Sequence, residues 1–151
     1  MKTTLFCLAL GLILHLTGSL QGGEERILFR NPSQVKVQYQ AKRPDMKSWS
    51  TFTTVLNNAA TESMMENQLM QRHPGNIVRI LAASTGAYIP VTVKCQIRRK
   101  NAPWTTMTTI LNNALTESMA RNQISAKYPE TEVRILSMVV RDNAQNRRQS
   151  P

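Results

Sequence analysis

Two clusters of basic side chains, each followed by a tryptophan, are the residues of this chain best suited to bind an anion. The first cluster precedes Trp49 and the second precedes Trp104. Their basic members are Lys42, Arg43 and Lys47 in the first cluster, and Arg98, Arg99 and Lys100 in the second. Basic side chains neutralise phosphate or sulfate groups, and an aromatic ring can stack on a base or a sugar ring. The pattern predicts a polyanion site. The alternative is that the basic residues are solvated at the tips of β-hairpins, which are predicted below, and that the tryptophans pack at the edge of a sheet.

The overall charge of the chain agrees with such a ligand. Lysine and arginine together number 19 and aspartate and glutamate number 9, which gives a formal net charge of +10. An excess of this size raises affinity for polyanions in general. Nucleic acid, an anionic component of the cell envelope and an acidic glycan all satisfy it.

Catalytic patterns are weaker. Glu62 and Glu117 occupy matching places, and paired carboxylates can perform acid–base chemistry, so a hydrolase is one alternative. Both glutamates also fall near a predicted helix start, where the helix dipole favours negative charge. His73 falls at a predicted helix end, where capping or exposure explains it. Because no Cys/His spacing suits zinc and no glycine-rich phosphate loop occurs, we expect neither a metal nor a cofactor, and a non-enzymatic protein.

The two basic clusters belong to a tandem duplication. Residues 49–81 and 104–136 are identical at 19 of 33 aligned positions, and the similarity continues upstream with an offset one residue longer. Internal similarity at this level indicates a repeated structural unit. We place the first repeat at 33–84 and the second at 89–140.

Each repeat predicts the element order β-β-α-β. An alternating apolar and polar segment favours a half-buried strand, and the threonine-rich segment after it favours a second strand that forms a hairpin with the first. A helix ended by proline and a last strand follow. In the first repeat these segments are 35–42, 49–55, a helix ended by Pro74, and 77–82. In the second repeat they are 91–98, 104–110, a helix ended by Pro129, and 133–139.

The helix starts are predicted from paired asparagines. Asn57-Asn58 and Asn112-Asn113 are natural N-cap residues, because a side-chain oxygen can accept from the free N–H groups of the first turn. One helix face then carries residues at helical spacing that we expect to fill the core. In the first repeat they are Thr61, Met64, Met65, Gln68, Leu69 and Arg72.

A unit of about fifty residues rarely buries enough apolar surface to fold alone. We therefore expect the tandem repeats to pack through a pseudo-twofold axis as one two-layer α+β domain. Its layers would be a mainly antiparallel sheet of about six strands and two helices on one face. Two independent units are the alternative.

The first residues are predicted to be a secretory signal peptide, at 1–19 with cleavage between 19 and 23. A positive start precedes an apolar run from Leu5 to Leu16, which is short of the roughly 20 residues of a membrane span. A retained membrane anchor is the alternative. The signal predicts a secreted or periplasmic protein without a stable membrane span after cleavage. Residues 141–151 lack an apolar pattern, which predicts a disordered basic tail.

The cysteines predict no internal disulfide. Cys7 lies in the predicted signal, and Cys95 lies on the apolar face of its predicted strand, at the place that Tyr39 takes in the first repeat. We expect Cys95 to be a buried and inert thiol. The alternative is a disulfide between two chains.

The sequence as a whole predicts a small exported basic protein that binds a polyanion through its paired hairpins. The alternative partner is an extracytoplasmic protein, which an inhibitor or exclusion factor would recruit by strand addition at a sheet edge. The oligomeric state stays open.

Overall fold

The computed structural model describes residues 25–86 and 88–140. The predicted signal peptide and the predicted tail lie outside the described residues and stay predictions. Within the described ranges, no helix has the length and apolar character needed to cross a membrane.

The same order of elements occurs twice, as two strands, a helix and a strand. The first set is β1 (Gln34–Lys42), β2 (Ser50–Asn57), α1 (Glu62–Arg72) and β3 (Ile77–Ser84). The second set is β4 (Pro90–Arg99), β5 (Thr105–Asn112), α2 (Glu117–Lys127) and β6 (Thr131–Val140). The predicted hairpins are present, because β1 pairs with β2 and β4 pairs with β5 in antiparallel register. Six antiparallel strands with two helices confirm the α+β class.

The strands form two three-stranded sheets, ordered β2-β1-β3 and β5-β4-β6, and the expected single six-stranded sheet is wrong in this respect. The physical reason lies at the outer edge of β3, which a continuous sheet would need for pairing. Asn122 and Gln123 of α2 donate their side-chain N–H groups to the carbonyls of Ile80 and Leu81, at 2.8 and 2.7 Å. A helix from the second repeat therefore covers this edge, and no strand of the described residues pairs there.

The alternation of the first strand in each repeat determines the core. Val35, Val37 and Tyr39 of β1 are buried, and the buried residues of β4 are Val91, Val93 and Cys95. They pack with apolar residues of both helices in one hydrophobic cluster that draws on both repeats. The cluster includes the large side chains Leu56, Met65, Leu69, Ile80, Met119 and Ile124.

Cys95 is a free, fully buried thiol, as predicted. Burial raises its pKa, because the apolar surroundings disfavour the charged thiolate. Since the thiolate is the reactive form, the inert character expected of Cys95 has a physical basis.

The helix caps differ from the prediction. The N-cap residues are Thr61 and Thr116, whose hydroxyls accept from the N–H groups of Met64 and Met119 at 3.3 and 3.1 Å. Asn58 and Asn113 instead adopt the left-handed conformation, both with φ of 53°. Asparagine tolerates this region better than most residues, so the asparagines make the turn that leads from strand to helix.

Replacing Thr61 by alanine should lower the free energy of unfolding by about 1 kcal/mol, because the first turn of α1 loses its capping oxygen. Asn57→Ala is the matched control on the same helix approach, since the Asn57 side chain is exposed. Its free energy of unfolding should change by no more than about 0.5 kcal/mol. Urea denaturation measures both values, and a larger loss for Asn57→Ala would support capping by asparagine instead of threonine.

Candidate functional site

Of the predicted anion-binding residues, Lys42 and Arg98 lie on the polar face of a sheet, which points away from the helices. On β1 this outer face carries Lys36, Gln38, Gln40 and Lys42, the residues that alternate with the buried ones. Arg79 of β3 and Thr51 of β2 flank Gln40 on either side in the strand register. The outer face therefore presents cations and amides in adjacent rows.

Two cations pack on the ring of Trp49. The Arg79 guanidinium carbon lies 4.2 Å from the ring centroid, and the Lys42 Nζ lies 5.0 Å from it. The carboxamide oxygen of Gln40 accepts from Arg79 Nε and Nη2, at 2.9 and 2.6 Å. Gln40 also donates to the Thr51 hydroxyl at 3.0 Å, so the guanidinium is held by a connected set of neutral groups. Partial burial lowers the Arg79 pKa from that of a solvated guanidinium.

The second repeat builds the same arrangement around Trp104. The guanidinium carbons of Arg134 and Arg98 lie 4.1 and 4.6 Å from the centroid of the ring. Arg98 donates to a carboxylate oxygen of Glu132 at 2.9 and 2.7 Å, which is a contact that the first site lacks. Gln96 donates to Thr106 at 3.4 Å, in the way that Gln40 donates to Thr51.

Each tryptophan thus holds cations in place instead of offering an open ring. A cation over a tryptophan face is attracted by the ring quadrupole with about 0.5–1 kcal/mol at exposed sites, and more when desolvated. Stacked guanidinium groups lose less freedom when they bind an anion, because they are already ordered. The arrangement favours contacts between arginine and an anion over stacking of a base on the ring.

The other predicted residues lie at the hairpin tips and do not stack on a tryptophan. Arg43 forms an exposed ion pair with Asp45 at 3.7 Å. Lys47 lines a groove with Trp49 and Arg79. Arg99 and Lys100 are exposed.

Sequence reasoning missed Arg79 and Arg134, although a signal was present. The two arginines occupy the same place in the repeats, 55 residues apart, and each precedes an isoleucine that is in the core (Ile80) or packs against it (Ile135). A search for charged residues close to the tryptophans in sequence does not find these arginines. They reach the tryptophans because β3 pairs with β1 and β6 pairs with β4.

The two sites differ in their surroundings. A groove of about 570 Å³ beside Trp49 and Arg79 is completed by Ser125, Glu130 and Thr131 of the second repeat. A groove of about 470 Å³ behind the second hairpin is lined by Arg98, Arg99, Lys127, Tyr128 and residues of its own repeat. The first site is therefore bordered by both repeats, and the second by one.

The glutamates of the hydrolase alternative lie on different helices. Glu117 forms an ion pair with Arg121 at 2.5 Å, one turn along α2. Glu62 lies in the first turn of α1. Burial, together with the negative charge of Glu62, raises the pKa of Glu66. Each glutamate has the place near a helix N-terminus that its sequence predicted.

His73 caps the end of α1, as the capping interpretation expected, and its ring is half-buried. A hydrogen bond of 2.7 Å joins His73 Nε2 to the Tyr39 hydroxyl. Phe52 packs against both rings, with centroid distances of 5.4 and 5.5 Å. The second repeat has Tyr128, Cys95 and Met107 at these three places, so the histidine belongs to local packing.

Among residues 25–86 and 88–140, no group of three or more His, Cys, Asp or Glu side chains is placed to hold a metal ion. No protein-family model matches the chain, and neither a curated protein nor a solved structure matches it.

Proposed function

We propose that this protein is a non-enzymatic binding protein that acts outside the cytoplasm and binds a polyanion through its two tryptophan-stacked cation sites. The observation that carries the proposal is the repeated arrangement of a tryptophan with two stacked cations, Arg79 and Lys42 on Trp49, and Arg134 and Arg98 on Trp104. Its residues come from three strands of each sheet or their ends, so the fold positions them.

The arginines keep donors for a ligand. Gln40 accepts from Nε and Nη2 of Arg79, which leaves the Nη1 donors to an anion. Arg134 stacks on Trp104, and no hydrogen bond engages its guanidinium among the described residues. Guanidinium groups match phosphate and sulfate oxygens with paired N–H donors. The sites therefore suit a ligand with repeated phosphate or sulfate groups.

The double substitution Arg79→Gln/Arg134→Gln should weaken binding of a fluorescent DNA oligonucleotide or of heparin about a hundredfold or more. The estimate assumes a charge-assisted hydrogen bond of about 1.5–3 kcal/mol at each arginine. Fluorescence anisotropy at one fixed salt concentration measures the change. Arg30→Gln/Arg121→Gln is the matched control, because it removes the same charge from exposed residues outside both sites.

A second pair of variants separates the site from overall charge. Trp49→Leu/Trp104→Leu leaves the net charge unchanged but removes the surface on which the cations stack, and it should also weaken binding. If the control pair and the site pair lose affinity equally, binding depends on charge alone and the assignment of these two sites fails.

A protein partner is the second candidate function. The observation that favours it is β6, an edge strand that exposes Leu136, Val139 and Val140, because exposed apolar patches often mark interaction surfaces. A pull-down from envelope or extracellular extract distinguishes the candidates. If the ligand is a polyanion, a polyanion competitor or nuclease releases the bound material. If the partner is a protein, the same treatment leaves it bound in stoichiometric amount.

A further inference from the structure

The contact between α2 and β3 joins the two repeats, and it has a defined set of residues. Met119 is fully buried and shares the face of α2 that carries Asn122 and Gln123, three and four residues later. Leu81 of β3 is 5% exposed. Asn122 and Gln123 donate to the β3 carbonyls at 2.8 and 2.7 Å. This interface combines apolar burial with hydrogen bonds that satisfy a sheet edge.

Among the described residues, the duplicated residues of this interface have no such partner. Met64 of α1 corresponds to Met119 and is 42% exposed. Leu136 of β6 corresponds to Leu81 and is 48% exposed. Asn67 corresponds to Asn122 and is exposed. The first repeat therefore leaves its helix half of the interface, α1, uncovered, and the second repeat leaves its strand half, β6, uncovered.

The end of β6 is more apolar than the corresponding end of β3. At the end of β6 stand Val139 and Val140, 58% and 40% exposed, where the first repeat has Ser84 and Thr85. Along β6 runs a groove of about 310 Å³ with a mixed lining of apolar, polar and charged residues, which are Arg26, Leu115, Glu117, residues 135–138 and Val140. Among the described residues, β6 pairs with β4 alone.

The amide of Gln68 is ready for the same contact. In the second repeat, Nε2 of Gln123 donates both to Asn112 O at 2.8 Å and to Leu81 O across the interface. In the first repeat, Nε2 of Gln68 donates to Asn57 O at 2.9 Å, the counterpart of the first of these bonds. The amide has a second N–H, which corresponds to the one that reaches β3 in the second repeat.

We propose that the protein associates with itself head to tail, with α1 of one copy covering β6 of another as α2 covers β3 within the chain. Asn67 and Gln68 then donate to the carbonyls of Ile135 and Leu136, and Met64 packs against the exposed apolar residues of β6. Each added copy leaves one α1 and one β6 uncovered. Such a heterologous interface builds linear assemblies of many copies, or a closed ring if the rotation between neighbouring copies allows it.

Two single substitutions and their mixture test the geometry. Met64→Glu places a charge on the helix half of the interface, and Leu136→Glu places one on the strand half. Both residues are substantially exposed, so the fold should tolerate the changes. Light scattering on the purified protein over a range of concentrations should show unmodified protein rising to multiples of the monomer mass. Each variant alone should remain monomeric.

The mixture of the two variants gives the decisive result. The intact α1 of the Leu136→Glu variant can cover the intact β6 of the Met64→Glu variant, so the mixture should reach twice the monomer mass and stop there. Ile110→Glu is the control, because Ile110 is 58% exposed on β5, the strand farthest from β6 in the sheet. This variant should associate like unmodified protein.

Three results would overturn the proposal. The first is that unmodified protein stays monomeric at every concentration, as it would if residues 1–24 or 141–151 of the same chain cover β6. The second is that the Met64→Glu variant associates as well as unmodified protein, which is the result expected if two β6 edges pair with each other. The third is that the mixture stays monomeric although unmodified protein associates. If circular dichroism shows that a glutamate variant is unfolded, Met64→Ser and Leu136→Ser replace the pair with the same expected pattern.

Discussion

Replacing Met119 by alanine should lower the free energy of unfolding by about 2–5 kcal/mol, whereas the same change at Met64 should cost about 1 kcal/mol or less. The two methionines hold the same place in the two repeats. Met119 is fully buried, so its removal leaves a cavity in the core shared by both repeats. Met64 is 42% exposed, so solvent fills the space that its side chain leaves.

Urea denaturation with linear extrapolation measures both values, and low protein concentration keeps any self-association out of the result. Backbone capping is the same in both helices, because the N–H of each methionine donates to a threonine cap in the wild-type protein. The comparison therefore isolates the packing of the side chain. Equal losses at the two positions would mean that α2 does not pack on β3 in solution.

The affinity for a polyanion should depend strongly on salt. If about six basic residues contact the phosphates of a DNA duplex, the association constant should fall by about three decades between 50 and 200 mM salt. The stacked residues supply four of these contacts, from Lys42, Arg79, Arg98 and Arg134. The physical reason is that each neutralised phosphate releases condensed counterions, whose gain in entropy shrinks as salt rises.

Anisotropy titrations at several salt concentrations measure the slope of log affinity against log salt. The Arg79→Gln/Arg134→Gln variant should have a slope smaller by about two, one for each lost contact. An affinity that does not change with salt would contradict the polyanion proposal and favour a protein partner at the apolar edge of β6.

The repeats show how identical residues acquire different environments. Leu81 and Leu136 follow the same tripeptide, Val-Arg-Ile, yet one is 5% exposed and the other 48%. No local property of the sequence distinguishes them. The difference arises because α2 covers the edge of β3, while within the described residues α1 makes no corresponding contact with β6.

Local patterns were sufficient for the parts of the fold in which neighbours in sequence are neighbours in space. The alternation of β1 and β4 predicted their buried faces, including Cys95, because successive side chains of a strand must point to opposite sides. Both hairpins followed from two β-prone segments separated by a short polar turn. The helix starts were less well predicted, since asparagine suits both a cap and a left-handed turn, and the structure uses Asn58 and Asn113 for the turn.

The candidate site was predicted in part for a similar reason. Lys42 and Arg98 were identified because they precede the tryptophans closely in sequence and lie on the same hairpins. Arg79 and Arg134 stack closer to the rings, yet they come from strands thirty residues further along the chain. Only the pairing of β3 with β1, and of β6 with β4, brings them to the tryptophans.

By itself, the sequence determined the repeated β-β-α-β order, the hairpins, the buried strand faces and the positive charge, all of which depend on local alternation or on composition. The tertiary structure decided that the strands form two sheets, that Thr61 and Thr116 cap the helices, and that Arg79 and Arg134 join the tryptophans. It also decided which copy of each duplicated residue is buried. These features depend on contacts between segments distant in sequence. Because the two repeats carry the same side chains at many matching positions, the sequence does not show which copy makes a given contact.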